Sequence, residues 1–290
     1  MSLQRREAPS PHWWCGDGDG RNGLRLVPER GGLVTGWRCD GREILYFDAD
    51  RFADPGRSVR GGIPVLFPIC GNLPGDVLTL PQGRFPMPQH GFARDLPWRL
   101  APLAVEAGFP GVRLQLGDGP ATRRCFPFPF SLVLEFVVEP RALAITARLR
   151  HDGPAGSPPL PFSLGLHPYF AVSDPARARL EGLPPQLLDQ ASGRRVETAT
   201  AMAALEAGVD LLAAATGPVR LVDPAGGVTV TLELRPPLDL VVVWTDPPRP
   251  MVCLEPWTGP RGALQSGERR IELAPGATID LGCRYTVTFA

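Results

Sequence analysis

At 290 residues and 43% hydrophobic, the chain is long enough to bury a large core, and its formal net charge is zero. That balance gives no basic excess of the kind that favours nucleic acid as a partner. All 30 basic side chains are arginine. Without lysine the chain cannot form a Schiff base, nor supply the lysine of a P-loop or of a kinase strand, so Schiff-base aldolases, aminotransferases and ordinary kinases are excluded.

In chain order, Met1 to Cys15 lacks the apolar core of a signal peptide. Short strands are expected near Leu24–Val27, Glu43–Phe47, Val112–Leu116 and Ser131–Glu139. Leu143, Ile145, Ala147 and Leu149 then alternate with Ala144, Thr146, Arg148 and Arg150, the period of a strand with one buried face. The one helical stretch expected is Ala201–Ala215, interrupted by Gly208. Strand patterns resume at Val228–Leu234, Leu238–Trp244 and Met251–Leu254. They close with Ile279, Leu281, Cys283, Tyr285, Val287 and Phe289 on one face of the last segment.

The 33 glycines and 35 prolines cluster between these runs, as at Asp118-Gly119, Asp152-Gly153 and Ala225-Gly226-Gly227, and read as turns. No repeat or linker divides the chain. The expectation is one all-β domain over residues 1–290, a large antiparallel β-sandwich. No apolar stretch reaches about 18 residues, the length that suggests a membrane span. Cys15, Cys39, Cys70, Cys125, Cys253 and Cys283 show no CxxC and no paired metal spacing. A cytoplasmic protein with reduced thiols, no membrane partner and no metal is expected.

Four segments place ionisable residues among strand and turn signals. Arg60-Gly61-Gly62-Ile63-Pro64-Val65-Leu66-Phe67-Pro68 opens with an arginine that either projects into a site or lies on the surface before a turn. His90-Gly91-Phe92-Ala93-Arg94 offers a guanidinium fork for phosphate or vicinal hydroxyls and a ring that could pack on a sugar; the alternative is a surface turn with one buried ring. In Leu166-His167-Pro168-Tyr169-Phe170 the proline holds His167 extended, either as a reactive group or as a hydrogen-bonded core histidine. In Val252-Cys253-Leu254-Glu255-Pro256-Trp257 the carboxylate follows an apolar strand. It must be paired with an arginine or be an acid–base group with a raised pKa.

One imidazole and one carboxylate suffice for anomerisation of a sugar: a base takes the C1 hydroxyl proton while an acid protonates the ring oxygen. RGGIPVLFP, HGFAR, LHPYF and CLEPW, in that order, resemble the aldose 1-epimerase family, most closely its hexose-6-phosphate 1-epimerase branch. The resemblance runs from Arg60 to Trp257. It implies the galactose-mutarotase-like supersandwich, a cofactor-free isomerase, and a small-molecule sugar or sugar phosphate as partner. It places the catalytic acid on His167 and the base on Glu255, and 6-phosphate-binding arginines on Arg60 and Arg94. It also puts a sugar-lining histidine on His90, and a substrate-binding aspartate on Asp189 within Gln186–Gln190. The chain departs from the branch after Pro68, reading Ile69-Cys70-Gly71-Asn72-Leu73-Pro74 where an aromatic is more frequent, and along the proline-rich Pro154–Pro161. Two other readings stay open: a glycoside hydrolase using Asp189 and Glu255, and a sugar-binding sandwich without turnover.

Overall fold

The computed structural model describes residues 2–8 and 10–290; Met1 and Pro9, within the stretch read above for a targeting signal, lie outside the described residues. Two large antiparallel sheets face each other. The first runs across Arg179–Glu181, Val219–Asp223, Val228–Arg235, Thr278–Phe289, Ala142–His151, Phe130–Glu139, Gly111–Gly117 and Arg99–Pro102. The second runs across Arg194–Glu197, Gln186–Asp189, Asp210–Ala214, Leu240–Trp244, Met251–Trp257, Gly165–Leu166 and Val65–Leu66. Tyr169–Ala171 also pairs with Met251–Trp257 in that sheet. A five-stranded meander from Ser2–Arg6 to Arg42–Glu43 joins the body through a bridge between Val34 and Ile63.

The period of two explains the sandwich. In Phe130–Glu139 every second side chain is buried, and the register sets Leu132, Leu134 and Phe136 against Leu149, Ala147 and Ile145 of the next strand. The other face is wet: Arg148 pairs with Asp280 at 2.7 Å and Arg113 with Glu135 at 2.6 Å. The second sheet answers with Val241, Val243, Val252 and Leu254 in the same apolar core. Burial of such aliphatic side chains, about 1.5–3 kcal/mol each, is what holds two sheets together. A polar contact also crosses the core: the Tyr285 hydroxyl donates to the Leu254 carbonyl over 2.9 Å.

The helix expected over Ala201–Ala215 is not formed as such. A short helix spans Thr198–Met202, a single 3₁₀ turn spans Leu205–Ala207, and Asp210–Ala214 is a strand. Gly208, at φ 106°, breaks the helical path. The following residues pair with Leu240–Trp244 and with Leu188 and Asp189, so ladder hydrogen bonds and the burial of Leu211 and Ala213 override the helix preference of alanine. The strand expected over Glu43–Phe47 stops at Glu43 and continues only as single bridges from Leu45 and Phe47. The Met251–Leu254 strand extends to Trp257.

Candidate active site

Strand Met251–Trp257 is buried on both faces. Val252 and Leu254 point into the core, so Cys253, Glu255 and Trp257 must point the other way. The ladder builds a surface around them. Cys253 stands opposite Trp244 on one side and Tyr169 on the other. Trp257 stands opposite Leu240 and Gly165. Between these rows Glu255 faces Val242, and His167 fills the gap between Gly165 and Tyr169. Asp210 extends the Trp244 row by one strand. Gly165 has to be glycine: a Cβ there would lie 2.6 Å from Trp257 Cδ1 and 2.9 Å from Cys70 Sγ.

The result is a cleft lined by His167, Glu255, His90, Arg60, Arg94 and Arg261, with Gln89, Asp210, Tyr169, Val242, Trp244 and Trp257 completing its wall. His167 Nδ1 lies 3.4 Å from Glu255 Oε1, yet it is off line and makes no hydrogen bond. The other carboxyl oxygen, Oε2, accepts from Trp257 Nε1 at 3.1 Å. Among the described residues no arginine forms a hydrogen bond or ion pair with Glu255, which answers the alternative left open by the sequence. Burial raises its carboxyl well above the ordinary range, more than the Trp257 hydrogen bond lowers it. Burial first, and Arg94 second, lower the His167 imidazole from 6.5 to about 3. Between those two pKa values the carboxyl therefore keeps its proton, the imidazole is neutral, and the pair carries no net charge. His167 is fixed in orientation by stacking on Tyr169 at 4.7 Å between centroids and by the Trp244 ring, which stands at 82° to it at 5.5 Å.

His90 reaches the cleft from a turn. It has φ 66°, and its backbone N–H donates to the Gly71 carbonyl while the Gly71 N–H donates to its Nδ1 at 3.0 Å. Nδ1 is thus an acceptor, which leaves the proton on Nε2. Burial, reinforced by His167, keeps this imidazole well below its usual pKa, so His90 is a neutral donor. Phe92 of the same segment does not reach the cleft; it packs edge-on against Phe67 at 5.9 Å inside the core. The aromatic wall is Trp244, Trp257 and Tyr169 instead.

The arginines differ in how far they are committed. Arg60 donates to Asp246 at 2.9 Å and lies over the Trp244 ring at 5.5 Å. Arg94 donates to the Gln89 carbonyl at 2.9 Å, while its Nε is buried without a hydrogen bond, 3.8 Å from the Asp95 carboxylate. Arg261, not singled out from the sequence, binds Asp210 at 2.5 Å, Asn72 at 3.0 Å and Gln190 at 3.1 Å. The departure after Pro68 serves this residue. A Cβ at Gly71 would lie 2.3 Å from Arg261 Cγ, and Asn72 supplies an acceptor.

Asp189 is not in this cleft. It lines a neighbouring cavity, and its carboxylate caps an exposed turn through Ser192 and Ala191. The aspartate in the cleft is Asp210, which the helical reading of Ala201–Ala215 had hidden. The two-carboxylate alternative loses the partner it named for Glu255, because the two residues line different cavities. Arg261 had a faint signal, four residues beyond Trp257 in a Gly-Pro-Arg-Gly turn.

A family model for aldose 1-epimerase matches residues 18–286. A protein from Cenchrus ciliaris named "Putative glucose-6-phosphate 1-epimerase" is 32% identical over 160 residues, 53% of this chain and 45% of its own length. One from Escherichia coli with the same name is 26% identical over 172 residues, 59% of this chain and 53% of its own. The chain thus spans about half the length of these relatives. The crystal structure of Slr1438 protein from Synechocystis sp. PCC 6803 is 34% identical, covers 100% of this chain and 99% of that one, and superposes with a TM-score of 0.90. A galactose mutarotase-like protein from Clostridium acetobutylicum shares the fold at 16% identity and a TM-score of 0.80, covering 100% and 99% of the two chains.

Proposed function

Because the chain belongs to the aldose 1-epimerase family, we propose that it interconverts the α and β anomers of a hexose or hexose 6-phosphate. The observation that carries this is the buried His167–Glu255 contact of 3.4 Å in the wall of a cleft. Passing the Glu255 carboxyl proton to the imidazole creates a carboxylate base and an imidazolium acid without changing the net charge. The base takes the proton of the C1 hydroxyl, and the acid protonates the ring oxygen as the C1–O5 bond breaks. The open aldehyde turns about C1–C2 and closes by the reverse transfers. Each positioned proton-transfer group is worth roughly 10²–10⁴-fold in rate. His90, neutral and donating through Nε2, orients a sugar hydroxyl, and Trp244 and Trp257 supply aromatic wall for the ring.

A phosphorylated substrate is supported by Arg60, Arg94 and Arg261 around one cleft, with Arg94 holding an unspent N–H. Asp210 takes the substrate-side role expected of Asp189, by fixing Arg261. The cysteines are free among the described residues, which supports a reducing compartment such as the cytoplasm. No helix among the described residues is long and apolar enough to cross a membrane. Two-dimensional exchange NMR on free and 6-phosphorylated hexoses tests the proposal. Faster anomer exchange on at least one sugar supports it, and binding without any acceleration refutes it.

A further inference from the structure

The face that carries Glu255 holds a donor that epimerisation does not use. Cys253 sits two residues earlier on the same strand, is fully buried and forms no disulfide. A ring nitrogen of His167, Cys253 Sγ and a Glu255 oxygen all lie within 4.8 Å of one another. None is strongly committed elsewhere. His167, only 8% exposed, has a buried Nδ1 without a hydrogen-bond partner. Cys253 Sγ has only the Met251 thioether at 3.9 Å. Glu255 keeps Oε1 free.

Imidazole, thiolate and carboxylate together are a zinc-type donor set; magnesium and calcium take six or more ligands, mainly oxygen. Zinc bonds of about 2.0–2.3 Å bring tetrahedral donors to roughly 3.3–3.8 Å from each other. His167 Nδ1 and Glu255 Oε1 already stand at 3.4 Å. The widest pair, up to 4.8 Å apart, has to close by about 1 Å, which side-chain torsions can supply. The arginines nearby oppose a cation: Arg60 and Arg261 carry Asp246 and Asp210 with them, whereas Arg94 stands 3.8 Å from Asp95 and keeps most of its charge uncompensated.

We propose that His167, Cys253 and Glu255 form an inhibitory site for a thiophilic divalent cation, Zn²⁺ above all, which occupies the groups that must move protons. On binding, the thiol proton of Cys253 and any carboxyl proton of Glu255 pass to solvent, and the three lone pairs become metal bonds. The fourth tetrahedral position is left to water. The inhibitory half of this inference rests on the epimerase reading; the binding half does not.

Untagged protein titrated with Zn²⁺ against a chromophoric chelator should bind one ion. Cys253→Ser and Cys253→Ala should each weaken that binding by at least about 10- to 100-fold, the loss expected even when a residue merely supporting a ligand is removed. Cys125→Ser, at the half-buried cysteine of another segment, should bind as wild type does. Co²⁺ should give a thiolate-to-metal charge-transfer band in the wild type and in neither Cys253 variant. Whatever epimerisation rate the Cys253 variants retain should no longer be inhibited by Zn²⁺. Equal zinc affinity in the wild type and both Cys253 variants, or no stoichiometric binding at all, overturns the site. Binding that behaves as expected in a protein that epimerises no hexose leaves the site standing and counts against the epimerase reading instead.

Discussion

Trp257 Nε1 donates to Oε2 of Glu255 over 3.1 Å, from two residues further along the same strand face. The indole thereby fixes the carboxyl plane and leaves Oε1 turned toward His167 Nδ1 at 3.4 Å. One oxygen is held and the other is free to exchange a proton. The division follows from strand periodicity, since residues 255 and 257 share a face.

Removing either member of the pair should stop the proton shuttle. His167→Ala and Glu255→Gln are each expected to lower the anomerisation rate by about 10²–10⁴-fold, with circular dichroism unchanged. Polarimetry on freshly dissolved α-glucose, or on its 6-phosphate, measures this; near-wild-type rates in both variants would discard the assignment.

The pair should also shape the pH dependence of stability. Burial raises Glu255 above 4.5, so its contribution is present below that value and is lost as pH rises through the folded pKa. Burial lowers His167 from 6.5 to about 3, so its contribution is present above 6.5 and is lost as pH falls toward 3. Between 4.5 and 6.5 the unfolded pair and the folded pair each hold one proton, and the two dependences cancel. Below that window the unfolded chain binds one proton more, and above it one fewer. The stability of the wild type minus that of a His167→Gln/Glu255→Gln double variant should therefore be flat between pH 4.5 and 6.5. It should fall on both sides by up to about 1.4 kcal/mol per pH unit. A difference that rises or falls steadily from pH 4 to 8 contradicts the neutral-pair description.

Gly165→Ala should strike structure and chemistry together. The new Cβ meets Trp257 Cδ1 at 2.6 Å and Cys70 Sγ at 2.9 Å. Overpacking of a dense interior costs about 1–3 kcal/mol, visible as a lower midpoint in urea. Displacing the indole releases Glu255 Oε2, so kcat should fall more than KM rises. An unchanged midpoint would show that the sheet relaxes around the methyl group.

Arg94→Gln isolates the phosphate question. A hydrogen bond to a charged group is worth about 1.5–3 kcal/mol, so KM for glucose 6-phosphate should rise roughly 10- to 150-fold. Little change is expected for glucose. Equal effects on both sugars would mean that Arg94 contacts the ring rather than a phosphate.

The sequence by itself determined the strands that line the cleft. CLEPW alternates, so Cys253, Glu255 and Trp257 had to share a face, and the proline of LHPYF held His167 extended. It also established the absence of lysine chemistry. It misled at Ala201–Ala215, where local alanine preference favours a helix and only pairing with Leu240–Trp244 makes Asp210–Ala214 a strand. That error hid Asp210, and the resemblance had pointed to Asp189 instead, because which aspartate enters the cleft depends on sheet register rather than on neighbours in the chain. Arg261 was out of reach for the same reason. Its partners Asn72, Gln190 and Asp210 lie as far as 189 residues away and meet only when three loops and strands converge. Tertiary structure alone decided the low-dielectric wall that keeps His167 and Glu255 neutral. Desolvation depends on what packs over a group, and periodicity says which way a side chain points but not what covers it.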